Sequence, residues 1–205
     1  MGAVVSLDSL LDQRRVWRGQ PAAPLPGLQP TGHARLDAAL PMGGWPEAAL
    51  SEILHAGEGV GELRLLWPTL ARLSAAGERV VLVAPPHLPY PQAWLAAGVD
   101  LRNLVMIEAQ GREALWAAEQ CLRSGSCAAV LCWPQQADDR ALRRLQVAAE
   151  AGQSLAFAYR PLREALNPSP AALRLVLEAK PAQLRILKCR GGLPPAAPIP
   201  FAACR

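Results

Sequence analysis

The residues nearest to a known chemistry are Ala56-Gly-Glu-Gly-Val-Gly-Glu-Leu63. They follow an apolar segment, Leu50 to Leu54, that reads as a strand, and they lead into a helix expected from about Gly61. A strand, a glycine-rich turn (Gly57, Gly59, Gly61) and a helix N-terminus form the layout of a phosphate-binding loop, whose backbone N–H groups cradle an anion. The charges such a loop needs are missing. Laid on the pattern G-x-x-x-x-G-K-[ST], the first glycine is Ala56, the lysine is Glu62 and the magnesium-binding hydroxyl is Leu63. A carboxylate about 4 Å from a phosphate is repelled by about 4 kcal/mol at an effective dielectric of ~20. The loop has the shape of an anion site without its chemistry. No nucleotide or other cofactor is expected, and no catalytic residue is assigned.

Other reactive residue types are scattered. His55 and His87 would both lie near the C-terminal edge of a parallel sheet, where α/β ligands bind, but no nucleophile or orienting acid accompanies them. His33 is remote from both. The five cysteines, Cys121, Cys127, Cys132, Cys189 and Cys204, include no C-x-x-C pair. They read as reduced thiols, and no metal site is expected from their spacing. The six tryptophans (Trp17, Trp45, Trp67, Trp94, Trp116, Trp133) read mostly as core residues, with one or two exposed as interface anchors.

The elements that must position these residues follow from the apolar pattern. A chain of 205 residues, 51% hydrophobic, suffices for one core. Arg79 to Ala84 is apolar without alternation, as in a buried parallel strand. Strands are also expected over Leu104 to Glu108, 127–132 and Ser154 to Tyr159. Helices are expected over 61–76, 91–97, 112–124 and 138–151, the last closed by Gly152, with Pro68 kinking the first or confining it to one side. Thr31 to Leu40 reads as a short capped helix. Ala172 to Ala179 and Gln183 to Lys188 flank Lys180-Pro181 as an antiparallel hairpin on the sheet edge. The whole is an α/β domain with a mostly parallel sheet flanked by helices.

The ends read differently from the body. Residues 1–19 carry an amphipathic helix over 6–18, with Leu7, Leu10, Leu11 and Trp17 on one face. It is tethered by a proline-rich linker, 20–30, and either packs on its own domain or docks on another chain. The body spans 31–190. Residues 191–205 read as a proline-rich mobile tail, either inert or a partner-binding segment using Ile199 and Phe201. The net charge of +4 is carried by arginine, with only Lys180 and Lys188 as lysines; it permits nucleic-acid contact without arguing for it. No apolar run reaches the roughly 20 residues that span a bilayer. No secretory signal is visible, so the expected location is the cytoplasm.

A resemblance adds to this. Thr31-Gly-His-Ala-Arg-Leu-Asp-Ala-Ala-Leu, then Gly43-Gly-Trp-Pro and Ser51-Glu-Ile, resemble the opening of the RecA recombinase core. So does Pro91-Gln-Ala-Trp-Leu-Ala-Ala-Gly-Val-Asp-Leu-Arg-Asn-Leu104, and Leu187-Lys-Cys-Arg190 resembles that fold's last edge strand. Cys132-Trp133 and Tyr159-Arg160-Pro161 are similar to the SulA/ImuA family, whose members are RecA-like. The resemblance implies a RecA-like fold of the P-loop NTPase type. It also implies a place in the SOS response, and two functions. One is an accessory protein of mutagenic translesion synthesis, of the ImuA kind. Its partners would be an ImuB-like relative of the Y-family polymerases, RecA itself, and indirectly an error-prone DNA polymerase and the sliding clamp. The other is a SulA-type division inhibitor that binds FtsZ. On the RecA pattern the catalytic glutamate falls on Pro86, the magnesium-positioning aspartate on Trp133 and the γ-phosphate-sensing glutamine on Arg160. Phosphoryl transfer depends on those charges, so the resemblance implies a pseudo-ATPase, and these substitutions disfavour a third function, an active DNA-dependent ATPase. The DNA-contacting loops look cut back. Arg160 and Arg163 remain as candidate phosphate contacts, and Arg140, Arg143 and Arg144 read as a solvated helix face.

Overall fold

The computed structural model describes residues 29–57, 61–134 and 136–201. The expected helix over 6–18 lies outside them, with Leu7, Leu10, Leu11 and Trp17; so do most of the 20–30 linker, Gly59 and residues 202–205.

Eight strands form one sheet: β1 (Leu50–His55), β2 (Val80–Val83), β3 (Leu104–Ile107), β4 (Ala129–Cys132), β5 (Leu155–Pro161), β6 (Leu173–Ala179), β7 (Ala182–Cys189) and β8 (Ile199–Pro200). Their order is β3-β2-β4-β5-β1-β6-β7-β8. The first six run parallel, and β7 and β8 are antiparallel to their neighbours. The fold is thus mixed α/β. Strand β2 shows why the centre forms: Val80-Val-Leu-Val83 is β-branched or apolar throughout and buried at every position, as a strand covered on both faces must be. Strand β3 lies at the edge, paired only with β2, and its Val105 and Met106 are exposed.

Among the described residues five helices cover the two faces: α1 (Ala34–Ala39), α2 (Trp67–Ala75), α3 (Pro91–Ala96), α4 (Gly111–Arg123) and α5 (Asp139–Gly152). One face carries Ile53, Leu82, Leu131, Phe157, Leu175 and Ile186 and packs on residues of α1, α2 and α3, such as Leu36, Leu70 and Trp94. Trp45 is seated there, edge-on to Phe157 at 5.0 Å, with its indole N–H donating to Thr69 Oγ1 at 2.8 Å. The other face presents Leu50, Val81, Val83, Val130, Ala156 and Ala158 to α4 and α5. Among the described residues no helix is long and apolar enough to cross a membrane.

Three expectations are corrected. The helix expected from Gly61 begins six residues later: Leu63–Leu65 is a single 3-10 turn, and α2 starts at Trp67 with Pro68 in its first turn. Proline fits there because its missing N–H would find no helical partner anyway. Gly152 does not close α5; Gln153, at φ 52°, is the left-handed residue. Gly152 is needed for another reason: a Cβ there would lie 1.7 Å from the Leu122 carbonyl oxygen at the end of α4. Finally, the β6–β7 hairpin is not the edge of the sheet. Strand β8 pairs with β7, the Phe201 N–H donates to the Ala182 oxygen at 3.0 Å, and Ile199 and Phe201 are buried in the chain's own core. They therefore do not serve as exposed partner-binding anchors. Their apolar bulk is satisfied internally, with Phe201 edge-on to His33 at 5.2 Å.

Candidate functional site

Strand β1 delivers Ala56 and Gly57 to the C-terminal edge of the sheet, and Gly61 to Leu63 complete the return towards α2. His55 Nδ1 lies 2.7 Å from the Gly57 oxygen, a local hydrogen bond that holds the start of the loop. Gly61 is at φ 88°, a conformation open to glycine at little cost. The Arg64 N–H is bonded to the Gly61 oxygen and the Leu66 N–H to the Leu63 oxygen, so these donors are spent within the 3-10 turn. Leu63 packs against the core, where Leu65 and Leu66 are fully buried.

The ends of β4 and β5 close over the same place. Trp133 stacks on Tyr159, with ring centroids 5.0 Å apart and planes 13° from parallel. His55 meets Tyr159 at 6.3 Å, near edge-on. The Tyr159 hydroxyl donates to the Glu62 backbone oxygen at 3.2 Å. Burial, then the Glu62 charge, holds the Tyr159 phenol well above its usual pKa. Strand sterics explain the arrangement: Ile53, His55, Phe157 and Tyr159 point to one face by the two-residue period. An aromatic layer thus stands at the position that the sequence pattern gives to a magnesium-binding carboxylate. His55 and His87 do not come together. β5 and β4 separate their strands, a distance of about 14 Å at three strand spacings.

Arg160 is corrected as a phosphate contact. It follows Tyr159 and so points to the opposite face, where it is 3% exposed. There it completes a charge cluster that the sequence reading missed. Glu52, fully buried at the middle of β1, accepts from Arg160 at 2.7 Å through Oε1 and from Arg174 of β6 at 2.6 Å through Oε2. Arg160 also donates to Glu164 Oε2 at 2.9 Å and to the Ala137 oxygen at 2.7 Å. Arg174 donates to the oxygens of Glu164 and Asn167 at 2.8 and 3.0 Å. A partial signal was available: one glutamate and two arginines within otherwise apolar strands, one on each of three adjacent strands. Such charges must pair to be buried. Arg163 is exposed and lies 3.6 Å from Glu164.

An open groove of about 1130 Å³ adjoins this closed region, between the first turns of α4 and α5, with Ala84 and Trp133 at its base. Arg112 and Trp116 line it from α4, and Arg140 and Arg144 from α5. Among the described residues no group of three or more His, Cys, Asp or Glu side chains is placed to hold a metal ion.

The chain is similar to known proteins in two ways. It is 35% identical to the RecA protein of Acholeplasma laidlawii over 98 residues, which is 47% of this chain and 29% of that protein. It is 30% identical to the RecA protein of Frankia alni over 126 residues, 60% of this chain and 36% of the relative. It thus spans only about a third of the length of these RecA proteins. Among solved structures, SulA from Pseudomonas aeruginosa is 28% identical, with a TM-score of 0.48, covering 57% of this chain and 99% of that one. The family model described as cell division inhibitor SulA matches residues 48–156, more than half of the 205. The chain belongs to the SulA family.

Proposed function

We propose that the protein is a non-catalytic, RecA-like adaptor of the SOS-induced mutagenic translesion synthesis machinery. It would act through contacts with a Y-family polymerase relative of the ImuB kind and with RecA, and through the former with an error-prone DNA polymerase and the sliding clamp. The observation that carries the non-catalytic part is the stack of Trp133 on Tyr159 above a loop whose Leu63 packs on the core. An enzyme of phosphoryl transfer needs cations and carboxylates at those points. The partial similarity to RecA supports the RecA-like part. The cytoplasm is the location this role requires.

A second reading, a division inhibitor that binds FtsZ, is favoured by the family match itself. Strands β6, β7 and β8 lie beyond the matched residues and extend the sheet, which supports a protein with more surface than that match accounts for. One experiment separates the readings. Immobilised full-length protein is offered the co-expressed polymerase relative, RecA and FtsZ, and ATP with magnesium is titrated by calorimetry. The adaptor reading expects capture of the polymerase relative and no micromolar ATP binding. Capture of FtsZ alone would replace it with the inhibitor reading, and tight ATP binding would sink the non-catalytic claim.

A further inference from the structure

The groove between α4 and α5 is open where the neighbouring edge is closed, and its side chains are unevenly committed. Glu119 is occupied by Arg123 at 3.0 Å and by Arg144 across the helices. Asp138 caps α5, accepting the Ala141 N–H at 2.8 Å. Arg143 is paired with Asp139 at 3.3 Å. Arg112 and Arg140, both exposed, have no carboxylate partner among the described residues. The groove therefore carries two guanidinium groups without a carboxylate partner, while Glu119 is paired and Asp138 is held at the helix cap. Trp116 stands beside them, 60% exposed, whereas Trp45, Trp94 and Trp133 are buried. Tryptophan and arginine are the side chains most enriched where protein partners anchor.

We propose that this groove binds an extended acidic segment of a partner protein. An apolar side chain of the segment rests on Trp116 and the half-buried Leu115, and carboxylates on either side of it pair with Arg112 and Arg140. The volume of about 1130 Å³ exceeds the roughly 300–1,000 Å³ of small-molecule pockets, which suits a peptide. A single nucleic-acid strand fits less well. It needs successive stacking platforms, and Trp133 is already spent on Tyr159, leaving Trp116 alone. A continuous run of phosphates would also meet Asp138 and Asp139, whereas a peptide places its charges only where the arginines are.

The inference rests on the reading that the protein works by docking to other proteins, and the two fail separately. The groove is tested with peptides, and the adaptor role by capture of whole partners. The probe is a short fluorescein-labelled peptide in which aspartates flank Leu and Phe, followed by anisotropy with the full-length chain. Controls are the same peptide with Asn for Asp, and oligothymidylate. The acidic peptide is expected to bind at least about tenfold tighter than its Asn version. Arg112→Glu with Arg140→Glu should erase that preference, and Trp116→Ala should weaken binding about tenfold. Arg35→Glu, on α1 of the other face, should change nothing. Should the double reversal lower the melting temperature, Arg112→Gln with Arg140→Gln carries the same test. Equal binding of the Asp and Asn peptides, or undiminished binding by the arginine variants, overturns the proposal. So does oligothymidylate that binds more tightly than the peptide and displaces it.

Discussion

The C-terminal edge of the sheet has two halves that behave oppositely. Over β5, β1 and β6 it is sealed on both faces, by the Trp133–Tyr159–His55 layer on one side and by Glu52 with its two arginines on the other. On the α4–α5 face of β2 and β4 it is open, and a groove lies between the helices. The sealed half is where the sequence pattern puts phosphate chemistry. Aromatic side chains fill the space there, and burying them stabilises the fold. The open half keeps exposed charge and an exposed tryptophan.

The largest effect should come from breaking the sealed half at its centre. Glu52→Ala leaves Arg160 and Arg174 buried without their shared carboxylate. A loss of about 3–5 kcal/mol is expected in urea unfolding. A variant within 1 kcal/mol of wild type, roughly the level of an ordinary surface change, would show that the cluster is not a closed electrostatic unit. The converse sharpens the point. Replacing Glu52, Arg160 and Arg174 together by apolar residues of similar volume should cost far less than the single change, because no orphaned charge remains.

A second test uses alkali. Cys132 is buried under α4 and α5 at the end of β4, and burial pushes its thiol up to about 12 from the ordinary 9.0, with Arg160 pulling weakly the other way. The folded pKa is raised, so the unfolded chain releases this proton first. The contribution is intact below pH 9 and is lost as pH rises towards 12. Each unit in that window removes about 1.4 kcal/mol. Cys132→Ala should show a shallower fall of stability with pH over the same range. Parallel curves would mean that α4 and α5 do not shield the thiol.

The smallest expected effect is local. Tyr159→Phe keeps the stack on Trp133 and removes only the bond to the Glu62 oxygen, so a cost of about 1 kcal/mol is expected from thermal melts. A cost several times larger would make the hydroxyl, rather than the aromatic filling, the element that closes the loop.

The sheet was legible because its strands are nearly pure apolar runs. Val80 to Val83 and Ala129 to Cys132 leave no helical face to choose, and alternation with amphipathic segments fixes a parallel topology. At the loop the reading rests on residue types alone: Glu62 and Leu63 stand where the phosphate-loop pattern has a lysine and a hydroxyl. What replaced them was not legible. The fate of Arg160 turns on strand parity, since one residue of slip moves a side chain to the opposite face, and the partner of Glu52 depends on β6 lying beside β1, far away in sequence. Ile199 and Phe201 were misread for a related reason. A short strand amid prolines has no local signature, and only the exposed edge of β7 gives it a place.

Gly152 has a consequence for the groove at the far end of its helix. The backbone of α5 touches α4 there so closely that no side chain fits against Leu122, while the first turns of the two helices stand apart around the groove. The pair is a clamp with a fixed heel and an open jaw. A rigid helix of 14 residues, about 21 Å long at 1.5 Å per residue, turns any displacement at the heel into a change of gape. A methyl group at position 152 would thus act on the spacing of Arg112 and Arg140 without touching either.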